Sequence, residues 1–191
     1  MEDNNQIWVA FKSGEENAFS NLYFTYYLRL YNYGVKLIQE EELVKDVLQD
    51  FFLYLFENRA NLEGEVKNIT SYLLVSFRRR LLRKISTRKI SRNHQHESIP
   101  KDFLFVINIE DIIIEKESKE QKREQVLCLL NELPSLQREI LYLKYYMNLS
   151  LADIAEALDI SYQVVANHLY RAHKKLKGRV HTSVKGVKKE L

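Results

Sequence analysis

The chain has 191 residues and a formal net charge of +3; 46% of its residues are hydrophobic, and it holds five glycines, two prolines and one cysteine. That length suits one large domain or two small ones, and the scarcity of Gly and Pro favours helices over turn-rich sheets. One cysteine excludes an intramolecular disulfide and a multi-cysteine zinc site, no stretch approaches the ~18 apolar residues that span a bilayer, and MEDNNQIWVAFK lacks the basic-then-apolar order of a secretion signal, so a reduced cytoplasmic setting without membrane insertion is expected.

Ser13 with Glu16 three residues on has the spacing of a capping box. It predicts a helix running through AFSNLYFTYYLRLYNYGVKLI, with Gly34 tolerated near its end. A second helix is predicted over residues 40–58 and a third over 70–86, ITSYLLVSFRRRLLRKI, with the polar loop NRANLEGEVKN between them. Residues 87–102 have no apolar periodicity and include Pro100, which reads as a linker. FLFVINIEDIII then suggests an extended piece with a packing role, leading into a helix that begins near Asn108 or Asp111. Pro134 stops that helix because it cannot donate the backbone hydrogen bond. Cys128, within VLCLL, reads as a small core or boundary residue. Three further helices follow: SLQREILYLKYY, LADIAEAL and YQVVANHLYRAHKKLK, with fraying expected from about residue 178. The expected fold is all-α, with helical domains over 1–90 and 119–183, a linker over 91–118 and a basic tail over 184–191.

Charge is unevenly distributed. Residues 76–92 hold eight Arg or Lys and no acid, residues 168–191 hold eight against one Glu, and residues 40–50 hold five acids and one Lys. Two basic blocks and one acidic block point to nucleic acid at two places and a different partner at a third.

SLADIAEALDISYQVVANHLYRAHKKLK has helix-turn-helix spacing. Leu151, Ile154, Ala155 and Leu158 form one stripe, Asp159 stands at the turn and tolerates left-handed geometry, and Ser161 suits an N-cap. Val165, Leu169, Ala172 and Leu176 share one face of the second helix; Gln163, Asn167, Tyr170, Arg171 and Lys174 share the other. Gln163 and Asn167 are suited to base edges, and Arg171, Lys174 and Lys175 to phosphates, as major-groove entry requires.

On residues 72–85, Leu73, Leu74, Val75, Phe77, Leu81, Leu82 and Ile85 cover one broad side. Tyr72, Ser76, Arg79, Arg80, Arg83 and Lys84 cover the other, and Arg78 falls among the apolar positions, where it would pair with a carboxylate or snorkel out. An aromatic beside a cationic stripe suits single-stranded or melting DNA.

DVLQDFFLYLFENR carries more apolar residues than one stripe needs. Tyr54, Val47, Phe51, Leu55 and Leu48 fill one arc of ~120°, enough for a core. Phe52, Phe56, Gln49, Leu53, Asp46, Glu57 and Asp50 fill the other side. Large apolar anchors rimmed by charge suit a protein-binding surface. No Gly-rich phosphate loop, Ser–His–Asp arrangement or metal-ligand cluster stands out, so neither enzymatic activity, a cofactor nor a metal is expected. His94 and His96 read as part of a solvated loop.

In this order, GEENAFSNLYFTYYLRLY, DVLQDFFLYLFENR, ITSYLLVSFRRRLLRKI and LPSLQREILYLKYYMNLSLADIAEALDISYQVVANHLYRAHKKLK resemble an extracytoplasmic-function (ECF) RNA polymerase sigma factor of the sigma-70 family. The Tyr- and Asn-rich flavour is similar to members from Bacteroidetes. The resemblance implies a region 2-like helical bundle and a region 4-like helix-turn-helix domain. It implies that Asp46, Gln49, Asp50, Phe52 and Phe56, with Leu53 between them, dock on the clamp helices of the core polymerase. The loop Asn61–Asn68, with Asn61, Lys67 and Asn68, would capture a flipped base of the minus-10 element, and Tyr72, Arg79, Arg80, Arg83 and Lys84 would grip the melting strand. The recognition helix, from Ser161 through Gln163, Asn167, Tyr170, Arg171, Lys174 and Lys175, would read minus-35. The linker would thread the polymerase, and an anti-sigma factor would control the whole. Three positions depart from the family pattern: Arg79 stands where Asn is common, Asp159 replaces the turn glycine, and Ala166 replaces a polar residue. The alternative is a helix-turn-helix regulator that does not join polymerase, which leaves the acidic–apolar helix and the first basic helix without a role.

Overall fold

The computed structural model describes residues 2–62, 66–92, 104–108 and 120–187, and the side chains of 6–62, 66–88, 104–108 and 124–177. It divides into two compact units, Met1–Phe103 and Leu104–Leu191. All regular structure among the described residues is helical. The HxH pair and the interval 109–119, where a helix start near Asp111 was expected, lie outside the described residues.

The first unit opens with a helix that periodicity did not reveal, α1 (Glu2–Ser13). It is anchored by Trp8 and Phe11, each 1% exposed. Two large anchors one turn apart are too few to form a visible stripe. The expected capping box does not form: Ser13 closes α1, and its Oγ donates to the Ala10 carbonyl at 2.9 Å. Helix α2 (Ala18–Ile38) starts instead at Asn17, in left-handed geometry and with no side-chain cap bond. Leu22, Tyr26, Leu30, Tyr33 and Leu37 form its buried stripe, at helical spacing.

Gln39, at φ 56°, turns the chain into α3 (Glu41–Glu57). Gly34 permits that close return: a Cβ there would meet Val44 Cγ1 at 2.8 Å and Phe77 Cζ at 3.1 Å. Asn68 then caps α4 (Ile69–Arg92), its Oδ1 accepting from Ser71 N. Helix α4 runs through the part of the expected linker that begins at residue 87, well past the predicted end at 86.

In the second unit, residues 104–108 carry no helix, and the residues that follow them up to 119 lie outside the described ones. Helix α5 (Glu120–Asn131) ends before Pro134 as expected. Cys128 is exposed on it, not in the core. Helix α6 (Ser135–Leu141) widens into a π turn over Tyr142–Tyr146, and α7 (Leu151–Leu158) and α8 (Tyr162–Val187) complete the unit. The backbone of α8 stays helical to Val187, past the expected fraying at 178 and into the expected tail. Leu133, Leu141 and Ala172 form a buried cluster with Leu130, Leu169 and Leu176 packed on it.

Candidate protein and nucleic-acid interfaces

Helix α3 packs on both α2 and α4, so its buried arc is wider than one contact would make it. Leu43, Val44, Val47, Leu48, Phe51, Phe52 and Leu55 are buried. Asp46, Gln49, Asp50, Leu53 and Phe56 are exposed along one strip, with Leu53 at 52% and Phe56 at 46%. Phe56 is braced by Phe19, 5.1 Å away edge-on, and by the Arg59 guanidinium 5.2 Å from its ring centroid.

Phe52 corrects the expected surface. It is 2% exposed, packed against Tyr23 at 4.8 Å and Phe51 at 5.6 Å, because α2 covers the side on which the wheel leaves it open. Tyr54 departs the other way. Placed in the core arc by periodicity, it is 40% exposed, with the Arg80 guanidinium 3.8 Å from its ring centroid. The apolar anchors open to a partner are therefore Leu53 and Phe56.

The basic face of α4 is divided. Arg79 and Arg83 are exposed, whereas Arg80 is half-buried over Tyr54 and Lys84 Nζ lies 3.7 Å from the Asp50 carboxylate. Tyr72 is half-buried and engaged edge-on by Trp8 at 5.1 Å. Arg78, at an apolar position, donates from Nε to the Tyr33 hydroxyl at 2.9 Å; the expected carboxylate partner is a phenol. In the loop ahead of α4, Asn61 and Lys67 are exposed, and Asn68 is half-buried with its Oδ1 in the cap.

In the second unit the helix-turn-helix forms as the sequence predicts. Ser150 and Asp153 make a reciprocal capping box at the start of α7, a pairing the sequence carries as S-x-x-D. Asp159 takes left-handed geometry at the turn (φ 55°, ψ 45°). Ser161 accepts from Val164 N at 3.3 Å, which caps α8. Val165 and Ala172 are fully buried, while Gln163, Asn167, Tyr170, Arg171 and Lys174 are exposed. Gln163 Nε2 donates to Asn167 Oδ1 at 3.1 Å, so the two amides are held side by side. Lys175 is already engaged: its Nζ donates to the Glu132 carbonyl at 2.6 Å, at the C-terminal end of α5, where a cation is favoured.

The described part of FLFVINIEDIII packs, as expected, but its partners escaped sequence reasoning. Phe105 is fully buried against Tyr142, 5.3 Å between ring centroids. Its N–H donates to Ser135 Oγ at 2.7 Å and its carbonyl accepts from Arg138 Nε at 2.6 Å. The same guanidinium donates to the Asn131 and Leu133 carbonyls, each at 2.8 Å. Burial lowers the Arg138 pKa from its usual value. The strap around Phe105 is thus tied to the LPSLQREI segment by bonds from its main chain to the Ser135 and Arg138 side chains. Arg138 lies between Gln137 and Glu139, so its burial is not signalled by an apolar run around it.

A family match falls on the second unit. Residues 123–176 match the model of the sigma-70 region 4 family. The matched segment includes α6, the helix-turn-helix and the exposed polar residues of α8 from Gln163 to Lys174. Over 146 residues the chain is 24% identical to the ECF RNA polymerase sigma factor SigK of Mycolicibacterium vanbaalenii, covering 75% of this chain and 72% of that protein. Two solved structures share the helical fold. One is CnrH in complex with the cytosolic domain of CnrY, at a TM-score of 0.54, 18% identity, and coverage of 93% of this chain and 97% of that one. The other is the sigma factor RpoE in complex with the anti-sigma factor NepR from Bartonella quintana, at a TM-score of 0.57, 15% identity, and coverage of 87% and 98%. Together these likenesses support an ECF sigma factor; the Bacteroidetes likeness rests on Tyr and Asn content alone. Among the described residues, no helix is long and apolar enough to cross a membrane.

Proposed function

We propose that the chain is an ECF-type RNA polymerase sigma factor, a non-enzymatic cytoplasmic subunit that gives core polymerase its promoter specificity. Its first domain docks on the clamp helices of the core through Asp46, Gln49, Asp50, Leu53 and Phe56. Arg79 and Arg83, with the loop residues Asn61 and Lys67, meet the minus-10 strand as it melts. The exposed face of α8, from Ser161 through Gln163, Asn167, Tyr170, Arg171 and Lys174, enters the major groove at minus-35. An anti-sigma factor holds the chain inactive, a reading supported by the anti-sigma factor NepR bound to the structural relative RpoE.

The observation that carries this proposal is the exposed strip of α3 in a chain that also bears the region 4 match. A DNA-binding regulator has no use for two large apolar side chains set among carboxylates on a surface remote in sequence from its helix-turn-helix. Co-purification with core polymerase tests it. Leu53→Ala combined with Phe56→Ala should weaken retention by at least ~10-fold, the loss of two partly exposed anchors at an interface centre. Undiminished retention of the folded double variant removes the docking role.

A further inference from the structure

Helix α4 presents its cations in two rows. Arg79 and Arg83, one turn apart, stand exposed. Arg80, Lys84 and Arg88 follow one another at i, i+4 and i+8 and meet α3 in antiparallel order. Arg80 lies over Tyr54 at 3.8 Å, Lys84 Nζ is 3.7 Å from Asp50 Oδ2, and Arg88 Nη1 is 3.5 Å from Glu40 Oε2. Asp50 belongs both to this seam and to the strip that carries Leu53 and Phe56. Its side chain is 67% exposed and that of Lys84 47%, so the pair is open to competition from either side.

We propose that this seam couples protein docking to nucleic-acid binding. The proposal rests on the functional assignment above. In the free chain, α3 holds Arg80 and Lys84 away from phosphate. A cation or donor of the polymerase that takes Asp50 releases Lys84 to the DNA backbone. Linkage makes the effect reciprocal: a phosphate that takes Lys84 leaves Asp50 available to the polymerase, and each event strengthens the other by the same factor. Exposed ion pairs are weak, so that factor is small, about two- to fivefold at low salt.

Fluorescence anisotropy of a labelled single-stranded oligonucleotide, titrated with the full chain in the absence of polymerase, reads the seam directly. Asp50→Asn should raise affinity about two- to fivefold. Glu57→Gln changes the net charge equally, two turns along the same face and outside these contacts, and should have the smaller effect of a distant charge. Lys84→Gln should cost more affinity in the Asp50→Asn background than in the parent chain. The same Lys84→Gln substitution should strengthen retention by core polymerase, because it leaves Asp50 unengaged. Equal gains from Asp50→Asn and Glu57→Gln, an additive Asp50/Lys84 cycle, or unchanged core retention of Lys84→Gln would each overturn the coupling. Failure of the functional assignment looks different: the parent chain itself would then not be retained by core polymerase.

Discussion

Phe52 and Tyr54 stand two residues apart in α3, and each occupies the environment that periodicity assigns to the other. A helical wheel assumes one buried arc. Here α2 extends that arc over Phe52, while on the α4 side Tyr54 is closed by a guanidinium and stays 40% exposed. Phe52→Ala should therefore cost ~3–5 kcal/mol of stability in urea unfolding, as a large core truncation does. Phe56→Ala, truncating a ring 46% exposed, should cost under ~1.5 kcal/mol, because much of that ring is already in water; equal costs would show that the two rings are buried alike. His168 carries a second expectation at this scale. Its Nδ1 is buried with no hydrogen-bond partner among the described residues, and burial, then the charge of nearby Arg171, lowers its pKa. Because the folded value lies below the unfolded one, the unfolded chain takes up the proton first. The stability involved is present above the ordinary imidazole value of about 6.5 and is lost as pH falls from there toward the folded value. Unfolding midpoints followed downward from neutral pH should fall less for His168→Gln than for the parent. Parallel profiles would remove His168 from the balance.

Elements with a continuous apolar stripe were legible. Helices α2, α7 and the packed face of α8 lie where the spacing of Leu22, Tyr26, Leu30 and of Val165, Leu169, Ala172 puts them. The exposed polar face of α8 was legible for the same reason, except that Lys175 is drawn to the end of α5. For segments held by a few long-range contacts, the partners were not legible. Helix α1 depends on Trp8 and Phe11, and the strap depends on Phe105 with hydrogen bonds from residues 30 and 33 positions away. Nothing in the local pattern announces those partners. Arg138→Met keeps an apolar stem but leaves three carbonyls without their donor, which should destabilise the second unit by about 2–4 kcal/mol. The only tryptophan, Trp8, lies in the first unit, so its fluorescence reports that unit alone. The variant should lower a helical circular-dichroism transition while the Trp8 transition stays in place. A shift of the Trp8 transition by the same amount, or no shift in either, would contradict a local role for Arg138.

At the scale of the whole molecule, charge distribution was more informative than total charge: a net +3 conceals two basic blocks and one acidic block. Sequence alone did not show that the first basic block turns one row of cations back onto the acidic helix, because that depends on the register between α3 and α4. On the proposed assignment, neither the exposed face of α4 nor that of α8 should hold a promoter tightly alone. A polymerase that fixes both units on one promoter converts the second contact into an intramolecular one, which multiplies affinity without adding contacts. The most direct measurement is transcription in vitro with purified core polymerase over a pool of genomic promoters. Adding this chain as the sole specificity factor should yield discrete transcripts from a subset of promoters sharing minus-35 and minus-10 elements. Their yield should fall when Gln163 and Asn167 are replaced by Ala. Transcripts that appear only when another sigma factor is supplied, or none at all, would contradict the assignment.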